Sequence, residues 1–530
     1  MGLLTIYDTT LRDGAQGEGI AFSLDDKLKI ARLLDGLGVD YIEGGWPGSN
    51  PKDEAFFEKA QELELENSEI TAFSSTKRPH IKIENDLNIN KLVNSGVDIA
   101  TIFAKSWDFH VTEALEVSLE ENLNMIRETI AHLKANGLRV FFDAEHFFDG
   151  YVNNREYAMK TLKVAEEAGA ERLILCDTNG GLLVSRLEKI FQEVKKKVKS
   201  PLGIHAHNDG GLALANTLAA YENGAIQIQG TIGGIGERCG NVDLCGVIPA
   251  IEAKYGRKLD KIQSKKLKSV YYTVMEIANL IPDHFKPYVG KSAFTHKGGI
   301  HVSALQKNPA TYEHIVPETF GNQRRVLVSE LAGKSNLRYK LEELGIDLDQ
   351  FDKDKLSRLT GTIKKLEHKG YQFEGAEASL KLLVYRNYSE YERRFEVDNF
   401  KIISHNSGEM MTNSEAVIKL SVRGNEVHTA AEGDGPVNAL DKSLRKALSD
   451  FFPEIDDMKL IDYKVRVLDE IRGTAAKVRV LIETTNGNQS WNTVGVSTNI
   501  IQASWQALID SIEYGLLIKN NREAELLAAK

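Results

Sequence analysis

Along the first 250 residues, short runs rich in apolar and β-branched residues alternate with longer stretches whose apolar positions recur every three to four residues, the periods of strand and helix. The runs are Leu4–Tyr7, Tyr41–Gly44, Ile70–Ser74, Ala100–Ala104, Val140–Ala144, Leu173–Cys176, Leu202–Ala206 and Ile226–Gly230. Eight such strands alternating with helices predict a (β/α)8 TIM barrel over residues 1–275. An open doubly wound sheet usually has fewer strands and a nucleotide fingerprint. Beyond it, Pro282, Pro287, Gly290 and Gly298-Gly299 break the pattern, and helical segments without intervening β runs predict a helical linker over 276–390.

Residues 391–530 carry an internal repeat: Ala416–Val422 aligns with Ala476–Ile482, and Gly433 with Gly495. Each copy predicts two strands, a glycine turn and a helix, Ala439–Leu448 in the first and Ile501–Ile512 in the second. Two copies packed face to face form a pseudo-symmetric α+β domain, with the cleft between them a natural site for a small ligand.

Composition narrows the function. Hydrophobic residues make up 42% and charged residues 27% of the 530 positions, enough apolar material for several cores. The 66 basic against 76 acidic side chains give a net charge of −10, so no global basic field points to nucleic acid or anionic lipid. Lys195-Lys196-Lys197 with Lys199 reads as a solvated helix end. Three cysteines, Cys176, Cys239 and Cys245, do not make a paired framework and fit a reducing, cytoplasmic location. No leader-like segment or run of about 18 apolar residues occurs, and Ile6 does not fit the myristoylation pattern.

In a barrel of this kind, chemistry sits where the strands end. Those ends are polar here: Arg12-Asp13 after the first strand, Glu43, Glu145-His146, Asp177-Thr178-Asn179, His205-Ala206-His207, and the loop Gly233–Asn241. In a strand, residues i and i+2 project to one face, so His205 and His207 can meet one cation. With Asp13 and Asn241 they make a mixed nitrogen and oxygen set that suits Mg2+, Mn2+, Co2+ or Zn2+ with open positions. One carboxylate leaves such a site net positive, ready to chelate a 2-oxo acid, and Arg12 is a second positive group to steady an enolate or alkoxide. The glycine-rich loop reads equally as a phosphate cradle or as a tight turn that brings Asn241 to the mouth.

Asp8-Thr9-Thr10-Leu11-Arg12-Asp13-Gly14, His205-Ala206-His207-Asn208-Asp209 and Gly236-Glu237-Arg238-Cys239-Gly240-Asn241 together resemble the 2-isopropylmalate, homocitrate and citramalate synthase group of metal-dependent Claisen condensing enzymes. The resemblance spans barrel, linker and repeat domain. Within the group, Gly44-Gly45-Trp46-Pro47-Gly48-Ser49-Asn50-Pro51 differs from the Ala-Gly-Phe-Pro loop usual in isopropylmalate synthases and is similar to the citramalate synthase branch.

The resemblance implies metal ligation by Asp13, His205, His207 and Asn241. It implies polarisation of a keto group by Arg12, and substrate contacts from Glu43, Glu145 and Thr178. It further implies a base near His301, assisted by Tyr312 and Glu145, with the linker residues supplied by a partner subunit of a homodimer. Val302-Ser303-Ala304 after His301 departs from the commoner His-x-Asp-Gly context. The implied reaction condenses acetyl-CoA with pyruvate to citramalate on a route to isoleucine, with isoleucine as effector of a regulatory repeat domain, or leucine in its place. Three rivals stand beside it: a 2-isopropylmalate synthase taking 2-oxoisovalerate, a barrel lyase using Cys239 where a small buried filler is the simpler reading, and a ligand sensor with an inert barrel.

Overall fold

The computed structural model describes residues 4–327, 334–346, 351–388, 391–406, 412–468 and 476–528. It forms two compact units, Met1–Phe294 with His314–Arg324 and Thr295–Glu313 with Arg325–Lys530. The predicted linker is thus divided between the two.

The first unit is a closed barrel of eight parallel strands in sequence order: β1 Thr5–Asp8, β2 Tyr41–Glu43, β3 Glu69–Ser75, β4 Ile99–Lys105, β5 Arg139–Glu145, β6 Arg172–Asp177, β7 Leu202–Ala206 and β8 Gln227–Gly230. Every strand end lies within one residue of the sequence expectation. β1 closes on β8 with Thr5 opposite Gln227 and Asp8 opposite Gly230.

Alternation explains the layering. Ile6, Ile42, Ile102, Val140 and Ile204 join the apolar shell shared with the surrounding helices. Tyr7, Tyr41, Ile99 and Phe141 form a separate buried cluster, with the Tyr41 and Phe141 rings edge-on at 5.3 Å. This aromatic layer fills the barrel interior, so an open site is left only at a strand-end face.

Local signals fix the helices. Ser23 caps Leu24–Leu37 in a reciprocal box with Asp26, and Gly38 ends it in the left-handed region at φ +94°. Glycine is required there, because a Cβ would fall 1.9 Å from the Lys261 carbonyl oxygen.

The second unit departs from the expectation in two ways. A short parallel pair, β9 Thr295–His296 and β10 Arg325–Val326, lies in the segment read as purely helical. Each repeat copy also has three antiparallel strands rather than two: β11 Glu396–Asn406, β12 Thr412–Val422 and β13 Asn425–Gly433, then β14 Lys459–Val467, β15 Val478–Thr485 and β16 Ser490–Ser497. The extra strands, β11 and β14, are edges with no fully buried residue among those described; β11 lacks a regular apolar alternation, whereas β14 alternates through Ile461, Tyr463, Val465 and Val467. Both copies feed one core, Ile418, Leu420, Leu440 and Leu444 from the first with Val480, Ile482, Trp491 and Leu508 from the second. No helix among the described residues is long and apolar enough to cross a membrane.

A buried ionic network ties the helix Glu377–Tyr388 to the helix Ile500–Ala528. Arg386 Nη1 lies 2.8 Å from Asp510 Oδ1 and a second guanidinium nitrogen donates to Glu513, which also accepts from the Tyr391 hydroxyl at 2.9 Å. Glu513 is 2% exposed. Arg386→Ala leaves two carboxylates without their cation and is expected to destabilise this unit by about 3–5 kcal/mol, read as an earlier urea transition by far-UV circular dichroism. An unchanged midpoint would contradict the network's role.

Candidate active site

The strand ends bring Asp13, His205 and His207 into one buried cluster whose ligand atoms all lie within 4.8 Å of one another. The two Nε2 atoms face each other at 3.3 Å, and Asp13 Oδ2 lies 3.5 Å from the first and 3.8 Å from the second. Asn241 arrives through the isolated bridge pairing it with His207. Its amide lies 3.2 Å from His205 Nε2; with its nitrogen donating to Asp13 Oδ1 at 3.0 Å and the Ile235 carbonyl at 3.3 Å, its oxygen turns to the imidazole.

The glycine-rich loop is the turn that makes this approach. Gly233, Gly234 and Gly240 all take positive φ, and a Cβ on Gly236 would lie 1.9 Å from Asn241 Oδ1 and 3.2 Å from Asp13 Oδ1.

Electrostatics keep the set in its ligating state. Burial, then the neighbouring imidazole, lower His207 to about 4, and burial also lowers His205, so both rings are neutral near pH 7. Burial works against the Asp13 anion, but the Arg12 guanidinium and the imidazoles overcome it and bring the carboxyl to about 2. Two imidazole nitrogens, an anionic oxygen and an amide oxygen converging on one point fit a divalent ion.

Arg12 stands beside the cluster. Its Nη1 donates to Asp13 Oδ2 at 2.9 Å, its Nε donates to Glu43 Oε2 at 2.6 Å, and its Cζ lies 3.8 Å over the Phe73 ring. Burial opposes the charge, yet Glu43 and Asp13 raise the guanidinium pKa above its ordinary value.

A cavity of about 200 Å³ opens here, walled by Arg12, Asp13, Glu145, Thr178, His205 and His207 on its polar side and by Trp46, Phe73 and Phe103 on its aromatic side. Phe73 and Phe103 stack at 5.0 Å, and Trp46 meets both edge-on. Glu145 pairs with Lys105 at 2.6 Å, and Thr178 Oγ1 accepts from the His146 backbone N–H at 2.8 Å.

Two residues, Glu43 and Cys239, sit differently from the sequence expectation. Glu43, expected to contact substrate, is fully buried beneath Arg12: Oε1 accepts from the Tyr7 hydroxyl at 2.6 Å, and Oε2 accepts from Thr9 and Arg12. Both its oxygens are engaged, so it holds Arg12 instead. Cys239, read as a buried filler, is exposed, whereas buried Cys176 reaches the cavity wall with its thiol pKa pushed up by burial. His301 and Tyr312 belong to the second unit, where their rings stack at 4.1 Å.

Sequence reasoning missed Gln229, Asp143, Phe73 and Phe103. Gln229 and Asp143 lie inside strands otherwise read for their apolar runs, and only the cross-strand register, with Gln229 opposite His205, shows where they point.

A closed barrel carrying this cluster at its strand ends has the form of a TIM-barrel enzyme with a candidate metal site. Comparison with known proteins is more specific. Residues 4–281 match the HMGL-like family, residues 288–371 the homocitrate synthase post-HMGL domain-like family, and residues 374–516 the LeuA allosteric (dimerisation) domain. The chain is 52% identical over 518 residues to (R)-citramalate synthase of Geobacter sulfurreducens, covering 97% of this chain and 98% of that protein. It is 51% identical over 515 residues to (R)-citramalate synthase of Aquifex aeolicus, covering 97% of each. To a probable 2-isopropylmalate synthase of Methanopyrus kandleri it is 31% identical over 510 residues, covering 96% of this chain and 97% of that one. The chain belongs to the HMGL-like family, in its (R)-citramalate synthase branch, and is an acyltransferase-type enzyme. The resemblance read from its motifs is borne out.

The lowered histidine pKa values make a specific pH prediction. An imidazole of ordinary pKa near 6.5 loses about tenfold in metal affinity by pH 5.5, and two lose about a hundredfold. Here protons compete at His207 only as the pH falls towards about 4. The Mn2+ affinity measured by calorimetry is therefore expected to fall less than about threefold between pH 7 and pH 5.5; a hundredfold loss would mean solvated, ordinary rings.

Proposed function

We propose that the protein condenses acetyl-CoA with pyruvate and hydrolyses the thioester, giving (R)-citramalate and CoA. The observation that carries this reading is the cluster of Asp13, His205 and His207 beside Arg12 in one small aromatic-walled cavity. The full-length similarity to (R)-citramalate synthases gives the substrates.

Asp13, His205, His207 and Asn241 would hold a divalent ion, Mg2+ or Mn2+ before Co2+ or Zn2+, given two oxygen ligands and no thiolate. When bound, that ion supplies positive charge to the oxygens of the oxo acid. Arg12, held by Glu43 and Asp13, presents its remaining N–H to the keto oxygen and favours the alkoxide that forms there. Thr178 and Glu145 orient the substrates from β6 and β5. A base takes a methyl proton from acetyl-CoA, the resulting carbon nucleophile attacks the keto carbon, and water then cleaves the thioester and releases CoA. The stacked pair His301 and Tyr312 supplies that base, with Glu145 assisting, across a homodimer. The match to the LeuA dimerisation domain supports the dimer.

Trp46, Phe73 and Phe103 limit the space beside the keto carbon, which favours a methyl over an isopropyl group. Each extra methylene is worth about 1–3 kcal/mol of discrimination. The ratio kcat/KM is accordingly expected to favour pyruvate over 2-oxoisovalerate by at least about tenfold, and Phe103→Ala to narrow the gap. Preference for the branched acid in the wild type would make the chain a 2-isopropylmalate synthase instead.

The reaction commits carbon to a threonine-independent route to isoleucine in the cytoplasm, and isoleucine inhibits it through the repeat domain, with leucine as the alternative effector. A cavity of about 670 Å³ lies between the helix Pro436–Leu448 and β14, lined by Val437, Asp441, Arg445, Leu460 and Tyr463. It has the size and mixed polarity to suit an amino acid. Filling it with Val437→Trp is expected to leave condensation unchanged while abolishing inhibition by isoleucine in a steady-state assay of CoA release. Retained inhibition would remove this cavity from the account.

A further inference from the structure

His205 ligates through Nε2 only in the tautomer that carries its proton on Nδ1. In that tautomer the group facing Nδ1 must accept a hydrogen bond. That group is Gln229, the register partner of His205 on β8, with its Oε1 at 2.9 Å from Nδ1. A carboxamide oxygen can only accept, so it holds the Nδ1 proton, while Nε2 faces Asp13 Oδ2 and the Asn241 amide oxygen, its fellow ligands once an ion is held.

A carboxamide has a donor end as well. Rotated by half a turn, Gln229 would offer Nε2 to Nδ1 and drive the proton to the ligating nitrogen. The other end of the amide opposes that rotation: Gln229 Nε2 donates to Asp143 Oδ1 at 3.0 Å. This orientation is the one enforced by an ionised Asp143, or by a neutral one protonated on Oδ2. Gln229 is 0% exposed and Asp143 3%, so bulk water does not compete at either end.

We propose that Gln229 is the positioning residue of the metal centre, and that Asp143 keys its amide so that His205 keeps the ligating tautomer when an ion is held. The inference rests on the reading of Asp13, His205 and His207 as metal ligands and adds the reason the first histidine is ready to serve as one. Outer-shell partners of ligating histidines are generally worth tenfold to a hundredfold in metal affinity. Asp143 also lines the cavity, so the chain Asp143–Gln229–His205 runs from the cavity wall to the ligand set.

Two substitutions in the full-length protein separate positioning from packing. Gln229→Met keeps the volume but removes both ends of the amide; Gln229→Glu keeps an acceptor for Nδ1. Mn2+ affinity by calorimetry is expected to fall about tenfold to a hundredfold in Gln229→Met and to stay within about threefold of wild type in Gln229→Glu. Nitrogen-15 shifts of the Zn2+-loaded protein, assigned by the signal lost in His205→Asn, are expected to report a protonated Nδ1 and an ion-bound Nε2 in wild type and in Gln229→Glu, and a mixed signal in Gln229→Met. A wild-type ring protonated on Nε2, a Gln229→Met variant binding Mn2+ as tightly as wild type, or a tenfold weaker Gln229→Glu would each overturn the inference. Should Gln229→Met not fold, the wild-type shifts and the Glu variant still decide. A wild type that binds no Mn2+ would instead remove the underlying assignment of the ligands.

Discussion

The mouth of the barrel depends on one buried contact, that of Glu43 with Arg12. A carboxylate with no exposed surface is unstable unless its oxygens are fully engaged. Tyr7 and Thr9 each donate a hydroxyl hydrogen to Glu43, and Arg12 donates its Nε–H. The pair in turn fixes where the guanidinium points. Phe73 covers its face, Asp13 takes one of its nitrogens, and only a small part of it opens to the cavity. Removing Glu43 would free a cation that then competes for Asp13, so the ion pair under the floor controls the ligand above it.

Charge balance follows from this arrangement. Glu43 and Asp13 against Arg12 leave one negative charge among the fixed groups, because both histidines are neutral and Glu145 is matched by Lys105. Burial, then Glu43, push the Asp143 carboxyl up to about 8, so it adds no charge near pH 7. A divalent ion turns this inner set of groups net positive by one, which suits a monoanionic oxo acid, while Glu237 adds a negative charge to the cavity wall. The same low-dielectric surroundings that empty the histidines of protons also strengthen the pull of Arg12 on a developing alkoxide.

The barrel was legible because strand and helix periods alternate eight times, and each strand end fell within a residue of its prediction. The ligands were legible because His205 and His207 share a strand face, a relation that spacing alone reports. Gln229 and Asp143 were not, since their meaning lies in the neighbouring strand, and a one-dimensional pattern carries no register. Glu43 was visible as a polar strand end, but a sequence cannot distinguish a carboxylate above the floor from one below it. Edge strand β11 escaped because its apolar positions do not alternate regularly, whereas β14 does alternate, through Ile461, Tyr463, Val465 and Val467, and its signal lay outside the aligned repeat.

The two units also solve different problems with buried charge. In the barrel, Arg12 keeps free valence towards a cavity, and its partners leave one side open. In the second unit, Arg386 is closed between Asp510 and Glu513, with Tyr391 and Ser379 taking the remaining carboxylate oxygens. An ion pair of this second kind, with all four carboxylate oxygens engaged, adds specificity of packing. What separates the two arginines is their neighbours rather than their burial, since Arg386 is 21% exposed against 13% for Arg12, and only Arg12 faces a cavity beside the Asp13, His205 and His207 cluster.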